Sequence, residues 1–125
     1  MYKFILIATG GAIGALLRFF VSKYISEIQQ EGFPWGTLVV NLIGCLLIGL
    51  LWAAFERFQL PANTNAFLFI GILGAFTTFS TYGLESIQLL QNGKILLGLA
   101  NIILSNIAGL TAVWVGKMIG NSLFP

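Results

Sequence analysis

Apolar residues fill four long stretches of this chain, near residues 4–25, 35–55, 66–90 and 95–119, separated by short polar links. Each is about 20–25 residues long, enough as a helix to cross a hydrocarbon core of roughly 30 Å. The pattern predicts an all-α membrane protein with four transmembrane helices, a single domain over residues 1–125 and little mass outside the bilayer. The links carry the boundary chemistry. Glu27, Gln29, Gln30, Glu31 and Gly32 precede Pro34-Trp35 at the start of the second span, and Glu56-Arg57 and Pro61 to Asn65 mark the next turn. Proline suits the first turn of a helix, and tryptophan suits the membrane interface.

Polar positions inside the apolar stretches carry the functional information. The third span holds Gly71-Ile-Leu-Gly-Ala-Phe-Thr-Thr-Phe-Ser-Thr-Tyr-Gly83, with hydroxyl or aromatic residues at every position from Thr77 to Thr81. Hydrocarbon offers no hydrogen bonds, so polar or irregular backbone there must be covered by protein or line a wet path. Gly71 and Gly74 weaken the helix, and the threonines are β-branched with hydroxyls that compete for backbone carbonyls. A third helix broken near mid-membrane is predicted. Phe76, Phe79 and Tyr82 recur every three residues and share a face if helicity persists; alone, such a stripe would read as packing.

Other embedded polar groups admit two readings each. Asn41 in the second span can glue helices or face an ion. Asn101, Ser105 and Gly109 form an i, i+4, i+8 stripe in a fourth span that also holds Asn106 and Thr111. Helix glue or a pore wall would explain it, and Asn41 and Thr81 favour the wall. Glu85 is a functional candidate as an embedded carboxylate, with a structural hydrogen-bonded role as the alternative. Gly10, Gly11 and Gly14 suit close helix approach, within the chain or between subunits. Arg18 lies about 10 Å inside the end of the first span at helical rise, where it either snorkels or lines an anion vestibule.

Composition narrows the field. Hydrophobic residues make up 58% of the 125 residues and charged ones only 8%, against about a quarter charged in soluble domains. The lone cysteine, Cys45, excludes disulfides and cysteine metal sites within one chain. The absence of histidine removes the usual general base and transition-metal ligand, so no enzyme is expected. Lys3 and the apolar run after it imitate a signal peptide, but no small-residue cleavage site follows and Arg18 interrupts the run. With four spans, one side carries Lys3, Arg57 and Lys117; the other carries Lys23 and Lys94, plus Arg18 if counted. Orientation follows lysine and arginine asymmetry. Here it is nearly absent, and insertion in both directions is expected.

Three blocks in order, Gly10-Gly-Ala-Ile-Gly-Ala-Leu-Leu-Arg18, Gly36-Thr-Leu-Val-Val-Asn-Leu-Ile-Gly44 and Gly74-Ala-Phe-Thr-Thr-Phe-Ser-Thr-Tyr82, give the chain a resemblance to the small fluoride channel family (Fluc/CrcB). The third block is the most specific. The resemblance implies passive fluoride export across the bacterial plasma (inner) membrane, which lowers cytoplasmic fluoride and its toxicity. It also implies an antiparallel, dual-topology homodimer with two pores and a structural Na+ at the dimer centre. The two-fold axis of such a dimer lies in the membrane plane, which can bring both helix breaks together. By motif position the backbone carbonyls of Gly74 and Thr77 would hold the sodium, as unwound transporter helices hold cations.

Phe79 and Tyr82 match the paired aromatics along the family's fluoride path, where positive ring edges face the anion without trapping it. Asn41 matches its pore asparagine, an amide donor. Ser80, Thr81 and Ser105 resemble its hydroxyl track, and Arg18 its vestibule arginine. Departures exist: phenylalanine is commoner at the position of Tyr82, tyrosine at that of Asn101, and a hydroxyl residue at that of Gly109. One alternative is a small dual-topology, proton-coupled multidrug transporter using Glu85, although such proteins usually carry the acid in the first span. A non-transporting assembly subunit would leave Asn41 and the Thr77–Thr81 cluster without a purpose.

Overall fold

The computed structural model describes residues 1–29 and 32–125; Gln30 and Glu31 of the first link lie outside the described residues. Its four helical passages are α1 (Tyr2–Ile28), α2 (Trp35–Phe58), a composite third passage (Ala62–Gln91) and a last helix (Ile95–Leu123), all apolar and long enough to cross a membrane. The chain is a multi-pass membrane protein. Each helix runs a few residues beyond its apolar stretch, so Arg18 stands further from the end of α1 than the sequence pattern suggested.

The third passage is assembled from pieces: α3 (Ala62–Asn65), a π-wound segment (Ala66–Leu73), α4 (Gly74–Phe76), two extended residues, and α5 (Phe79–Gln91). The helix Ile95–Leu123 is then α6. The α5–α6 turn is set by Gly93, whose φ of 77° is left-handed. Its N–H donates to Leu90 O at 3.2 Å, and that of Lys94 donates to Leu89 O at 2.9 Å. This doubly bonded end satisfies two carbonyls that the helix leaves open.

Two glycine seams hold the bundle together, as expected where lipid removes the hydrophobic drive between helices and close packing replaces it. Along the first, α1 lies on the π-wound segment. A Cβ on Gly10 would stand 2.5 Å from Phe67 O, one on Gly14 would strike Ile72 O, and one on Gly71 would stand 3.0 Å from Gly10 Cα. Gly11, grouped with these by sequence, has nothing within 4 Å and takes no part. Along the second seam α2 meets α6, where Gly49 lies under Val113 O, Gly116 under Leu46 O and Gly120 against Leu50 and Ala53.

Polar contacts fix the sides. Arg57 Nε donates to Pro125 O at 2.7 Å, and Lys117 Nζ lies 3.3 Å from Glu56 Oε2. Trp52 Nε1 also donates to Glu56 Oε1, at 2.9 Å. The ends of α2 and α6 therefore share one membrane face, with Arg57 and Lys117 together as the alternation of spans requires.

Candidate functional site

The helix break falls at Thr77 (φ −84°, ψ 157°) and Thr78 (φ −148°, ψ 118°), roughly half-way along the third passage. Its causes are local and tertiary together. Thr77 turns its hydroxyl back onto Leu73 O at 3.1 Å, competing for the carbonyl that its own N–H also reaches. Thr78 caps α5, its Oγ1 accepting from Thr81 N at 3.3 Å and donating to Thr81 Oγ1 at 3.0 Å. Across the gap, Asn41 on α2 brackets the peptide: its Nδ2 donates to Thr78 O at 2.9 Å, and its Oδ1 accepts from Thr78 N at 2.8 Å. Gly44, one turn along α2, makes room, since a Cβ there would strike Thr77 Cγ2.

The break leaves the four carbonyls from Gly74 to Thr77 without helical donors, and two of those donors have identified destinations. In a continuous helix Thr78 N–H would reach Gly74 O and Thr81 N–H would reach Thr77 O. Those donors go to Asn41 Oδ1 and Thr78 Oγ1 instead. Gly74 is exposed on the single chain and Thr77 is partly covered. Among the described residues no group of three or more His, Cys, Asp or Glu could hold a metal. The oxygen donors that suit a hard cation here are these carbonyls.

Two clefts flank the break, and the sequence-predicted residues divide between them. A cleft of about 340 Å³ on the α6 side is lined by Asn41, Thr78, Phe79, Tyr82, Ser105 and Asn106. The other, about 410 Å³ on the α1 side, is lined by Arg18, Ser22, Lys23, Thr37, Thr78 and Thr81. Arg18 thus sits in a polar recess beside Lys23. Thr81 and Ser105 open onto different clefts of one chain, while Ser80 is exposed, 3.4 Å from the Thr78 hydroxyl.

The aromatic residues do not share a face. The break turns Phe76 inward, where it is buried and a Gly44 Cβ would lie 3.5 Å from Cδ1, while Phe79 is 82% exposed. Phe79 pairs instead with Tyr82, ring centroids 5.4 Å apart and planes tilted by 50°.

On α6 the polar residues divide by role. Asn101 is buried and donates from Nδ2 to Ser86 Oγ at 2.9 Å; Ser86 in turn donates to Tyr82 O at 2.7 Å. Its Oδ1 accepts from Ser105 Oγ at 3.4 Å. Asn101 therefore ties α6 to α5, while Ser105 and Asn106 reach the cleft. Glu85 accepts from Thr37 Oγ1 at 2.8 Å through Oε1. Its buried Oε2 has no hydrogen-bond partner among the described residues.

Four residues in this constellation were not singled out by sequence reasoning as site residues: Thr37, Thr78, Ser86 and Asn106. Thr78 lies in the hydroxyl cluster, and its capping role was accessible from Thr-x-x-Thr at a helix restart. Thr37, Ser86 and Asn106 carry no local signal, because their roles depend on a partner helix.

Comparison with known proteins gives the chain a family. The model of the CrcB-like protein, Camphor Resistance (CrcB) family matches residues 5–117. A "Fluoride-specific ion channel FluC" of Parabacteroides distasonis is 43% identical over 123 residues, covering 98% of this chain and 96% of that protein. The protein of the same name from Salinibacter ruber is 44% identical over 124 residues, covering 99% and 92%. That of Ruminiclostridium cellulolyticum is 42% identical over 125 residues, covering 98% and 95%. These matches run through all four passages and the break, and this chain belongs to the CrcB-like family.

Proposed function

We propose that this protein is a fluoride-specific ion channel of the bacterial inner membrane, passing fluoride passively and so lowering its concentration in the cytoplasm. The observation that carries the reading is identity above 40%, over nearly the whole chain, to proteins named as fluoride-specific channels. No enzymatic chemistry is involved.

The geometry supplies a physical route. A fluoride ion is strongly hydrated and must exchange water for protein donors as it enters a narrow path. One Nδ2 hydrogen of Asn41 is committed to Thr78 O, which leaves the second for an anion at the cleft wall. The edges of Phe79 and Tyr82 offer the positive rim of the ring quadrupole. Arg18 raises local anion concentration at the opposite recess without standing in the constriction, while Lys23 beside it is paired with Glu27 at 3.9 Å.

The functional unit in this reading is an antiparallel homodimer of chains inserted in opposite directions. Three features support it: the balance of lysine and arginine across the two sides, the exposure of Phe79, and clefts that open onto the surface of one chain. The carbonyls of Gly74 and Thr77 from both copies would hold a structural sodium ion, for which the diverted Thr78 and Thr81 N–H groups leave acceptors free. Bound there, the ion would supply positive charge that holds the two breaks together. Glu85, anchored by Thr37, takes a structural part in this scheme. The multidrug-transporter alternative gains nothing from the relatives, which are named as channels.

The test is fluoride efflux from liposomes containing the purified protein, read with a fluoride electrode while a potassium ionophore balances charge. Rapid efflux that ignores chloride is expected. Efflux absent from a folded dimer in sodium, with proton movement driven by organic cations, would replace the channel by a Glu85 transporter.

A further inference from the structure

Tyr82 and Asn106 form a pair whose chemistry is directional. The Nδ2 group of Asn106 makes two donations, to Ile102 O at 2.8 Å and to Tyr82 Oη at 3.1 Å. The Ile102 carbonyl can only accept, so it fixes which end of the amide is nitrogen: a reversed amide would set two acceptors against each other. Both amide hydrogens are thereby assigned, and the phenol oxygen is an acceptor toward α6. A phenol that accepts on one in-plane side carries its own hydrogen on the other. That hydrogen belongs to a ring lining the cleft shared with Asn41, Phe79 and Ser105.

We infer that Asn106 is a positioning residue: it holds the Tyr82 hydroxyl as a hydrogen-bond donor to fluoride in the α6-side cleft. The inference rests on the channel reading above and adds to it a donor that a phenylalanine at this position lacks. Three contacts hold the donor in place. The Phe79 ring packs at 5.4 Å on one side of Tyr82, its backbone carbonyl is tied by Ser86, and its oxygen is tied by Asn106. Hydrogen bonds to an ionised acceptor are about twice as strong as neutral ones. The gain is greatest for a small, charge-dense anion, so this pair acts on selectivity against chloride as well as on rate.

A double-mutant cycle read by fluoride efflux tests this, using purified protein matched by gel-filtration elution. Tyr82→Phe and Asn106→Leu should each lower fluoride efflux by about tenfold, the loss of one hydrogen bond to an anion. Asn106→Leu should have no further effect in the Tyr82→Phe background, and Asn106→Ala should behave like Asn106→Leu in both. Wild-type fluoride flux with Asn106→Leu and Asn106→Ala unaltered, or lowering flux equally with and without the phenol, would overturn the positioning role alone. A wild-type protein that conducts no fluoride would overturn the channel reading and this inference with it.

Discussion

Replacing Asn41 by alanine removes two hydrogen bonds at once, and the structure says which groups are left behind. Thr78 N–H loses its acceptor at 2.8 Å and Thr78 C=O loses its donor at 2.9 Å, at a point where the helix offers neither a substitute. If Asn41 were ordinary helix glue, the cost would be that of a side-chain hydrogen bond in a membrane, about 0.6 kcal/mol on average and no more than about 1.7 kcal/mol. Leaving two backbone groups unpaired costs about 1–3 kcal/mol each, or roughly 2–6 kcal/mol together. Asn41 is only partly covered and borders an open cleft that also holds Tyr82, Ser105 and Asn106, so other polar groups lie near the vacated space and the lower half of that range is expected.

The two accounts are separated by reversible unfolding in detergent, followed through the fluorescence of the 3 tryptophans. Asn41→Ala should lose about 2–4 kcal/mol by the backbone argument. Asn41→Asp keeps an acceptor for Thr78 N–H but sets an oxygen against Thr78 O, so it should retain part of the stability while still losing flux. A loss below about 1.7 kcal/mol for Asn41→Ala would show that the extended conformation of Thr77 and Thr78 holds without the bracket, and would refute the reasoning.

Other expectations follow from the same geometry. Phe79→Ile should cut fluoride efflux severely while leaving single-chain stability within about 0.5 kcal/mol, because the ring is 82% exposed; wild-type flux would remove the aromatic-edge mechanism. Gly14→Ala should destabilise by about 1–3 kcal/mol in detergent unfolding, since its Cβ meets Ile72 O, while Gly11→Ala, with open space, should be neutral or slightly stabilising. Introduced terminal cysteines in a Cys45→Ser background should label from both sides of the membrane, and one-sided labelling would end the dual-topology proposal. Exchanging sodium for a large organic cation should weaken dimerisation and flux together, with no change in either counting against the carbonyl-bound ion.

The span pattern, the α1 side of the first glycine seam and the break were legible in the chain, each for an identifiable reason. Apolar length sets the spans, and Gly10 and Gly14 lie against Gly71 and Ile72 because only a missing Cβ allows the observed approach of α1, whereas Gly71 read from sequence only as a helix-weakener. The break was legible because glycines and three threonines crowd one short run. What the sequence concealed was partnership. Asn41 read as an isolated amide, since nothing local shows that Thr78, 37 residues away, presents both a donor and an acceptor to it. The aromatic spacing of three suggested one face, and the extended pair at Thr77 and Thr78 divided Phe76 from Phe79. Asn101 suggested a pore wall by its period with Ser105, yet its amide closes on Ser86 of α5.

The bracket at Thr78 also opposes annealing of the broken segment into helix, because annealing would break both of its bonds. Re-forming it would return helical donors to the four carbonyls from Gly74 to Thr77. It would also take both Thr78 partners from the half-buried Asn41 amide. The extended state thus leaves its unsatisfied groups as carbonyls facing outward at Gly74, where a cation or a second chain can reach them, and keeps the satisfied ones inside. In the channel reading, the hydrogen bond from Thr78 N–H to Asn41, which shapes the fluoride cleft, also leaves the Gly74 acceptor open to the partner subunit. Pore and dimer should therefore fail together when Asn41 is lost.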